Sequence, residues 1–520
     1  MNNNFIETWK VSKETVVTNK GIVASQHYEA SRIGADILES GGNAVDAAVA
    51  AALSIGIIEP WMSGIGGGGF MLFYNKATKN THCIDFSMKS PLNLNVEDYK
   101  LCGKFSDVDL FGWPKVFEDR NVHGPFSFAV PGNIAGLSSA LNNFGKFKWK
   151  EIIEPAIAIA KRGLLVDWYT TLRIATESEI LRKYDSTKNF FLPNGLPPVS
   201  TSPENPLYLM NEKQISTLQR LRDAGPSDFY NGDIANTIIH DMNNLNGIIC
   251  KEDLKNYKVD IRKAEKYRYG ITDVFFADGL TAGPSLIDSL KRITASKNSK
   301  KLTPNSNSYI KFIDILFKTY KERLIKLGDE KADSCTTHIS VIDKYGNIVS
   351  LTQTLLSAFG SRVLMPSLGF LMNNGIMWFD PEPLKPNSIG PSKKPLSNMC
   401  PVILINDLLG NFALGASGGR RIFPSIFQLI SYLIDYNMPI DKAIGYPRID
   451  VSGSGTLTIN PKLPIGIKKE IKNRWKANEV DDLVFPSLYA CPNILRDYKN
   501  KREGVTFFSS PWSKVCAERK

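Results

Sequence analysis

The strongest constraint on this chain is a hydroxyl-rich β-hairpin pattern that runs from Thr336 to Thr354. Polar and apolar residues alternate on both sides of a turn segment, Asp343–Asn347. Antiparallel pairing about Tyr345 would bring Thr336 opposite Thr354, and successive side chains would point to opposite faces. One face would carry Thr336, His338, Ser340, Ser350, Thr352 and Thr354, and the other Ile339, Val341, Val349 and Leu351. The pattern predicts one core face and one polar surface.

Thr336 would gain a catalytic role if the chain were cut before it. An N-terminal threonine can use its own α-amine to deprotonate its hydroxyl. The hydroxyl of Thr354 could then fix the rotamer of the Thr336 side chain. The polar segment 329–335 follows a predicted helix and could be cut without breaking a core element. The competing interpretation is a sheet whose Ser/Thr face is merely solvated, since short motifs also arise by chance.

Composition argues against several other classes of function. The seven cysteines form no Cys-x-x-Cys pair, which favours reduced thiols over a disulfide framework or a zinc site. No two of the five histidines have metal-ligand spacing on a helix, so no metal is expected. The net charge of +11 could suit nucleic acid. However, the densest lysine run, Lys468–Lys476, reads as a solvated helix face, so no nucleic-acid partner is expected.

The location of the protein is predicted from its apolar segments. Residues 1–8 contain no apolar core of a secretory signal. The longest apolar stretch, residues 47–58, is too short to span a membrane. We therefore expect no membrane span and a cytoplasmic location.

Two glycine-rich segments have different sequence contexts. Segment 63–69 precedes an apolar strand pattern and is not followed by Lys-Ser/Thr, so a phosphate-binding loop is not indicated. Its glycines would permit close packing or unusual φ/ψ angles beside a cleft. Segment 415–421 lies between a predicted strand and a predicted helix. Its N–H groups could bind an anion or an oxyanion, or it could be only a close-packed turn.

Periodicity predicts most of the remaining elements. Helices are predicted up to Leu38 and at residues 44–57, 134–144, 151–160, 214–222, 234–243, 310–327 and 422–436. Strands are predicted at residues 70–74, 370–375, 401–405 and 412–414, and a Pro- and Asn-rich loop at 185–207.

Several landmarks then occur in one order along the chain. They are Gly41–Ala47, Gly64–Gly69, Pro131-Gly132 with Gly136, Phe229–Gly232, Glu252–Leu254, Thr336–His338, Pro395–Ser397 with Met399, and Ser417–Arg420. Together they resemble the γ-glutamyltranspeptidase family over residues from about Gly21 to about Pro461. Their joint order and spacing are specific, whereas no single motif would be.

The resemblance implies an α+β fold, the four-layer αββα sandwich of N-terminal nucleophile hydrolases. It also implies a precursor that cuts itself, here between Cys335 and Thr336. The products would be a large subunit, residues 1–335, and a small subunit, residues 336–520, which remain together as one globular unit.

The resemblance further implies a role for each catalytic residue. Thr336 corresponds to the family nucleophile, Thr354 to its supporting threonine, and Gly418 and Gly419 to the oxyanion-hole glycines. The Thr336 hydroxyl would attack a γ-glutamyl amide, with its own α-amine as base. The acyl group would pass to water or to the amine of an amino acid or peptide, and no cofactor would be needed.

The positions that would read the substrate carboxylate depart from the family pattern. The family's pair of carboxylate-binding serines falls on Ser397 and Asn398, so the second is changed. The family's arginine position is Ser87 here. Lys89 would share its face of a strand and could supply a cation, without the bidentate fork of arginine.

The positions that would read the substrate amine also depart. The family asparagine beyond the supporting threonine is Leu356. The acidic residue expected near Asn374 is Trp378 by strict spacing, with Asp380 nearby. Asn374 and Asp380 are therefore candidates for substrate binding.

Three hypotheses follow from the sequence. The leading one is a self-processing γ-glutamyl hydrolase and transferase acting on glutathione or related compounds. The second is an acylase of the same fold with another acyl group, glutaryl-like or apolar, which the changes at Ser87, Leu356 and Trp378 favour. The third, a non-catalytic and uncut binding or scaffold protein, is disfavoured by the retention of Thr336 and Thr354.

Overall fold

The computed structural model describes residues 11–105, 113–294, 303–327, 335–452, 456–485 and 489–519. Its strands, numbered β1 to β21 in chain order, are Val16–Thr18, Ile22–Ser25, Gly68–Asn75, Asn80–Phe86, Leu101–Phe105, Pro114–Val116, Leu164–Leu165, Tyr208–Leu209, Asp260–Lys263, Glu265–Tyr269, Thr272–Phe276, Cys335–Ile342, Ile348–Leu356, Val402–Ile405, Asn411–Ser417, Ile449–Asp450, Leu457–Ile459, Ala477–Glu479, Cys491–Tyr498, Lys501–Thr506 and Lys514–Ala517.

The α-helices, numbered α1 to α16, are Tyr28–Glu39, Ala44–Ile58, Asn133–Phe144, Trp149–Ile152, Glu154–Arg162, Trp168–Leu181, Asp185–Phe191, Glu212–Ala224, Asp228–Asn231, Asp233–Leu245, Lys251–Lys255, Gly283–Thr294, Ser306–Leu327, Ile422–Ile434, Ile440–Gly445 and Ile465–Arg474. Short 3-10 helices lie at Val96–Tyr99, Phe117–Asp119, Pro125–Ser127, Pro193–Gly195, Gly375–Trp378 and Gly419–Arg421.

Two sheets of seven strands each form the centre of the fold. The first sheet has the order β1-β20-β19-β15-β14-β11-β10, and the second has the order β21-β2-β12-β13-β3-β4-β9. Strands β12 and β13 of the second sheet pack on β15 and β19 of the first. The predicted hairpin is therefore β12–β13, at the middle of the second sheet and against the first.

Helices cover the outer face of each sheet. Helices α1, α2 and α3 pack on the second sheet, and α5 packs on α2, around a core that includes Ala48 and Leu351. Helices α12, α14 and α15 pack on the first sheet, α13 packs on α12 and α16 on α13, around a core that includes Leu316 and Leu414. A third apolar cluster, which includes Ile403, lies between the two sheets. These four layers confirm the predicted α+β fold, an αββα sandwich.

Helix α2 shows how local sequence positions the central hairpin. The Asn43 side chain accepts hydrogen bonds from the N–H groups of Val45 and Asp46, and the Asp46 carboxylate accepts one from the N–H of Asn43. This capping box satisfies donors that would otherwise be buried without partners. Every residue of α2 is buried, and its many alanines let the helix lie close to β12 and β13.

The predicted register of the hairpin is confirmed from Thr337 onward. Thr337 pairs with Gln353 and Ile342 with Ile348, on either side of the predicted turn. The register shifts between Cys335 and Thr337, so a β-bulge replaces the predicted pairing of Thr336 with Thr354.

The polar face of the hairpin is a buried layer. His338, Ser340 and Ser350 have no exposed surface, because this face meets the first sheet. Ser340 Oγ donates to Asn493 Oδ1 at 2.7 Å, and Ser350 Oγ donates to the carbonyl oxygen of Leu414 at 3.1 Å. The predictions of a polar surface and of a solvated Ser/Thr face are therefore wrong, since the face is buried and the hydroxyls of Ser340 and Ser350 have exchanged water for partners in the opposing sheet.

Most predicted helices are confirmed to within a few residues, and α16 with its exposed lysines confirms the solvated helix face. Three segments differ. The predicted helix at 151–160 is two helices, α4 and α5, and the predicted loop at 185–207 contains α7. The predicted strand at 370–375 is reduced to isolated bridges before the 3-10 helix Gly375–Trp378. Of the predicted linker 329–335, only Cys335 is among the described residues.

Within the described residues, no helix is both long and apolar enough to cross a membrane.

Candidate active site

The peptide bond between Cys335 and Thr336 is held by the second threonine. Thr354 Oγ1 donates a hydrogen bond to the carbonyl oxygen of Cys335, which is the carbonyl at the predicted cleavage site. The N–H of Leu356 donates to the same Oγ1 at 2.8 Å and so orients the hydroxyl. Thr336 is only 2% exposed. The fold thus brings Thr354 to the bond where self-cleavage is predicted.

Leu356 has a rare backbone conformation beside this bond. Its φ is +89°, in a region that residues with a Cβ seldom adopt. Such a conformation costs about 1–3 kcal/mol and persists only where the surrounding packing enforces it. Leu356 is fully buried in the cluster between the sheets, so the core enforces the geometry that orients Thr354.

The second glycine-rich segment follows β15. The φ angles of Gly418 and Gly419 are +125° and +58°, where glycine avoids the strain of a Cβ. A Cβ on Gly418 would lie 2.9 Å from the Cα of Ala490. Neither the N–H of Gly418 nor that of Gly419 has a hydrogen-bond acceptor among the described residues. Two successive N–H groups without acceptors suit an anion or an oxyanion.

An open cleft of about 1240 Å³ joins these two features. Cys335 reaches it from β12, and Ser417 and Gly418 reach it from the end of β15. The Nε2 of Gln26, which also lines the cleft, donates to Ser417 Oγ. Apolar and aromatic side chains complete the wall, namely Trp61, Met62, Tyr169, Ala358, Val484, Phe485 and Tyr489. Cys335 and Gly418 therefore open into one cleft, whereas Thr336 and Gly419, their neighbours in the chain, and Thr354, which donates to the Cys335 carbonyl oxygen, are not among the residues that line it.

Five charged side chains line this cleft: Arg421 belongs to the glycine-rich segment 415–421, whereas Glu59, Arg173, Glu177 and Arg362 belong to no predicted motif. Arg173 of α6 donates from Nη2 to Cys335 Sγ at 3.1 Å. Arg362 donates to Glu177 Oε2 at 2.9 Å. Burial raises the pKa of Glu59 to about 8, although Arg173 opposes this shift. Glu59 is therefore largely protonated at neutral pH. These residues lie far apart in the chain, and only folding gathers them.

Ser397 and Asn398 do not line the cleft. Arg323 donates from Nη2 to the carbonyl oxygen of Ser397 at 2.9 Å and to Asn398 Oδ1 at 3.1 Å. The Ser397 hydroxyl accepts from the N–H of Met399 at 3.1 Å. Their predicted contact with a substrate carboxylate stays a prediction.

Lys89 also does not line the cleft. Its backbone pairs with Val130. The lysine that binds Asp85 is Lys394, whose Nζ lies 2.8 Å from Asp85 Oδ2. Ser87 donates its hydroxyl to the other oxygen, Oδ1, at 2.6 Å. Beside the family's arginine position, Asp85 is thus paired with Lys394.

Asn374 and Asp380 are buried in loops beyond β13 and do not line the cleft. Asn374 Nδ2 donates to the carbonyl oxygen of Val122 at 2.8 Å and to Ser357 Oγ at 2.7 Å. Asp380 Oδ1 accepts from the N–H of Glu382 at 2.9 Å. These bonds hold the loops, and the substrate contacts predicted for both residues stay predictions.

Leu356 and Trp378 occupy apolar surroundings. Both belong to the cluster between the sheets, together with Met88, Met377 and Met399. Leu356 is 0% and Trp378 is 3% exposed. The two positions at which the resemblance placed polar substrate-reading groups are therefore part of the hydrophobic core.

In the described parts of the chain, no group of three or more His, Cys, Asp and Glu side chains could hold a metal ion.

Comparison with known proteins decides the family. The model of the γ-glutamyltranspeptidase family matches residues 30–335 and 321–485. This chain belongs to the γ-glutamyltranspeptidase family. It is an enzyme with the N-terminal nucleophile hydrolase fold, as the sequence landmarks implied.

Curated relatives of the family include both hydrolases and acylases. The chain is 29% identical to the glutathione hydrolase proenzyme of Bacillus subtilis (strain 168), covering 84% of this chain and 81% of the relative. It is 30% identical to the acylase ACY 1 proenzyme of Pseudomonas sp. (strain SE83), covering 88% of this chain and 87% of the relative.

Solved structures of the same fold include a cephalosporin acylase from Bacillus halodurans. Its TM-score is 0.84 at 20% identity, with full coverage of both chains, a likeness that concerns the fold. The γ-glutamyltranspeptidase of Helicobacter pylori has a TM-score of 0.51 at 28% identity, covering 58% of this chain and 83% of that one.

Proposed function

We propose that this chain is the precursor of an amidohydrolase and acyltransferase that cuts itself between Cys335 and Thr336. The observation that carries the proposal is the hydrogen bond from Thr354 Oγ1 to the Cys335 carbonyl oxygen. A donor at that oxygen favours the negative charge that develops when the carbonyl is attacked. The proenzyme names of the relatives support a processed precursor.

The proposed products are a large subunit, residues 1–335, and a small subunit, residues 336–520. They would stay together because strands of both fragments alternate in one sheet. Strand β12 pairs with β2, and β13 pairs with β3.

The self-cleavage begins when Thr336 Oγ attacks the carbonyl carbon of Cys335, with Thr354 holding the oxyanion. The C–N bond to Thr336 then breaks, the hydroxyl proton passes to the departing nitrogen, and Cys335 is joined to Thr336 Oγ as an ester. Water hydrolyses this ester. The result is a new carboxylate on Cys335 and a free α-amine on Thr336.

The processed enzyme then uses Thr336 on an external amide. The α-amine takes the proton of the Thr336 hydroxyl, and Oγ attacks the substrate carbonyl. The N–H groups of Gly418 and Gly419 hold the tetrahedral oxyanion. The amine of the substrate leaves with a proton, and the acyl group remains on Thr336 as an ester. Water, or the amine of an amino acid or peptide, then accepts the acyl group.

The acyl group that we infer is γ-glutamyl, from glutathione or a related compound. The relatives named glutathione hydrolase support this donor. A second candidate is a non-glutamyl acyl group, glutaryl-like or apolar. The apolar surroundings of Leu356 and Trp378 favour this second candidate, as does the relative named acylase.

Mass spectrometry of the purified protein tests the self-cleavage. We expect two chains, the smaller one beginning at Thr336, in place of one chain of 57.8 kDa. Thr336→Ala should leave one uncut chain without amidase activity, because it removes the nucleophile. Thr336→Ser keeps a hydroxyl and should still be cut. A wild-type chain that stays whole on incubation would contradict the proposal, and so would activity in T336A.

The acyl group is tested by hydrolysis of matched 4-nitroanilides. Faster turnover of the γ-glutamyl than of the glutaryl anilide would support the first candidate. The reverse order would support the second, because the two substrates differ only in the α-amino group.

A further inference from the structure

Arg173 reaches the cleft beside the peptide bond that is to be cut. Its Nη2 lies 3.1 Å from Cys335 Sγ. Its Nε is buried and has no hydrogen-bond partner among the described residues. A guanidinium presents five donors in a planar fork that matches a carboxylate, whereas a thiol is a weak acceptor. In the uncut chain, Arg173 is therefore held by a group that satisfies it poorly.

The cleft leaves the charge of Arg173 incompletely balanced. Two carboxyl groups line the cleft with it, those of Glu59 and Glu177. Glu177 already accepts two hydrogen bonds from Arg362, at 2.9 and 3.1 Å. Glu59 is deeply buried, its pKa is raised to about 8 by that burial, and its Oε2 has no hydrogen-bond partner within the described residues. An anionic ligand would complement this arrangement.

Cys335 marks the acyl side of the cleft. In the self-cleavage, the carbonyl of Cys335 is the acyl group that moves to Thr336. Both reactions join an acyl group to Thr336 Oγ, so we expect a substrate acyl chain to use the space in the cleft that the Cys335 side chain fills in the uncut chain. Counted from the acyl carbon, the Sγ of Cys335 is the fourth atom of its chain, which is the position of the carboxyl carbon in a succinyl group. In a glutaryl or γ-glutamyl group the carboxyl carbon is the fifth atom, one carbon further along. Arg173 would thus meet the end of such a chain.

We propose that, in the processed enzyme, Arg173 binds the carboxylate at the far end of the substrate's acyl chain. The preferred donors are then amides of dicarboxylic acids, γ-glutamyl or glutaryl, and not amides of uncharged acids. This inference rests on the proposed function and narrows its substrate class. It also gives the carboxylate a place on α6, since Ser397, Asn398 and Lys89 do not line the cleft.

Two anilides of equal chain length test the subsite. Glutaryl 4-nitroanilide carries the terminal carboxylate, and pentanoyl 4-nitroanilide has a methyl group in its place. For Arg173→Gln, we expect kcat/KM on the glutaryl substrate to fall about 10- to 100-fold, the range for a lost charged hydrogen bond. The value on the pentanoyl substrate should change less than about 3-fold. Arg173→Lys should lie between R173Q and the wild type.

Arg182 provides a matched control on the same helix. It lies at the exposed end of α6 and does not line the cleft. Arg182→Gln should leave kcat/KM unchanged on both anilides. Equal losses on both anilides in R173Q, or no loss on the glutaryl one, would overturn the subsite.

If R173Q is not cut, it has no activity to compare, and inhibition of the wild-type enzyme by free acids tests the subsite instead. Glutarate should inhibit the processed enzyme at a concentration at least about 10-fold lower than pentanoate. Equal inhibition by the two acids would overturn the subsite while leaving the self-cleavage intact. A wild-type chain that is not cut would instead overturn the proposed function, and the subsite with it.

Discussion

At the scale of single residues, the proposed function gives two threonines different tasks. In the proposed self-cleavage, Thr336 supplies the attacking hydroxyl, whereas Thr354 Oγ1 donates to the carbonyl oxygen of the bond that would be cut. The N–H of Leu356 fixes the Thr354 hydroxyl. A β-bulge at Thr336 frees its backbone from the regular ladder, and bulges of this kind re-aim side chains beside active sites.

Thr354→Val tests the role of the donor. The substitution keeps the shape of the side chain and removes its hydroxyl, so self-cleavage should slow by about 100- to 1000-fold, as for a lost oxyanion donor. The loss of the full-length band on a denaturing gel measures the rate. Thr337→Val is the matched control, because the Thr337 hydroxyl is buried without a hydrogen-bond partner among the described residues. Equal rates in T354V and T337V would contradict this role.

At the scale of strands and helices, the buried polar face of β12–β13 connects the two halves of the site. His338 bonds through its ring nitrogens to Thr352 Oγ1 at 2.8 Å and Ser340 Oγ at 3.1 Å. Asn493 of β19 accepts from Ser340 and donates to the carbonyl oxygen of His338 at 3.1 Å. Since β19 pairs with β15, this network ties the strand of Thr336 to the sheet that carries Gly418.

Asn493→Leu tests this network. The change removes one hydrogen-bond partner from the Ser340 hydroxyl, which keeps His338 Nε2, and removes the side-chain donor to the His338 carbonyl oxygen. The free energy of unfolding should therefore fall by about 1–3 kcal/mol. Urea unfolding in the uncut T336A background measures it. Asn142→Leu, at an exposed position of α3, should change stability by less than about 0.5 kcal/mol. A loss in N493L no larger than this control would show that the network adds no stability.

At the scale of the whole molecule, the fold keeps several titratable groups out of water. Burial lowers the pKa of His27 and His123 to about 4 and that of His338 to about 3. Below pH 6.5 these imidazoles are protonated in the unfolded chain but stay neutral in the folded one. The free energy of unfolding therefore falls as the pH decreases toward 4. Glu59 has the opposite effect, because its pKa is about 8 in the folded chain. Between pH 4.5 and 8 the folded chain keeps a proton on this carboxyl that the unfolded chain loses, so the free energy of unfolding falls as the pH rises.

The balance of these groups predicts acid sensitivity. Burial also lowers the pKa of His82 and raises that of Asp450. Between pH 6.5 and 5, these four imidazoles outweigh the two carboxyls, so the free energy of unfolding of uncut T336A should fall by about 1 kcal/mol per pH unit. Urea unfolding at several pH values measures the slope. Glu59→Gln removes one of the opposing carboxyls and should make the slope steeper. A free energy of unfolding that stayed constant over this range would contradict the prediction.

Local patterns in the sequence already contain much of the fold and the catalytic centre. The alternation on both sides of Tyr345 sets the register of β12–β13, because a slip of one residue would turn every aliphatic side chain away from α2. The Asn43 capping box and the small residues of α2 are likewise readable locally. The ordered landmarks from Gly41 to Arg420 indicate the family, and the family model matches over the same range.

Only the tertiary structure decides what surrounds these residues. Whether a Ser/Thr face is exposed to solvent or buried depends on a second sheet, whose strands are distant in the sequence. The bulge at Thr336 and the positive φ of Leu356 depend on packing, which no local pattern reports. Arg173, Glu59 and Glu177 carry no motif, since their proximity to Cys335 is created by long-range contacts alone. The sequence by itself therefore determines the fold, the family and the proposed nucleophile Thr336, whereas the side chains that surround Cys335 in the cleft are decided by the tertiary structure, because they come together only through long-range packing.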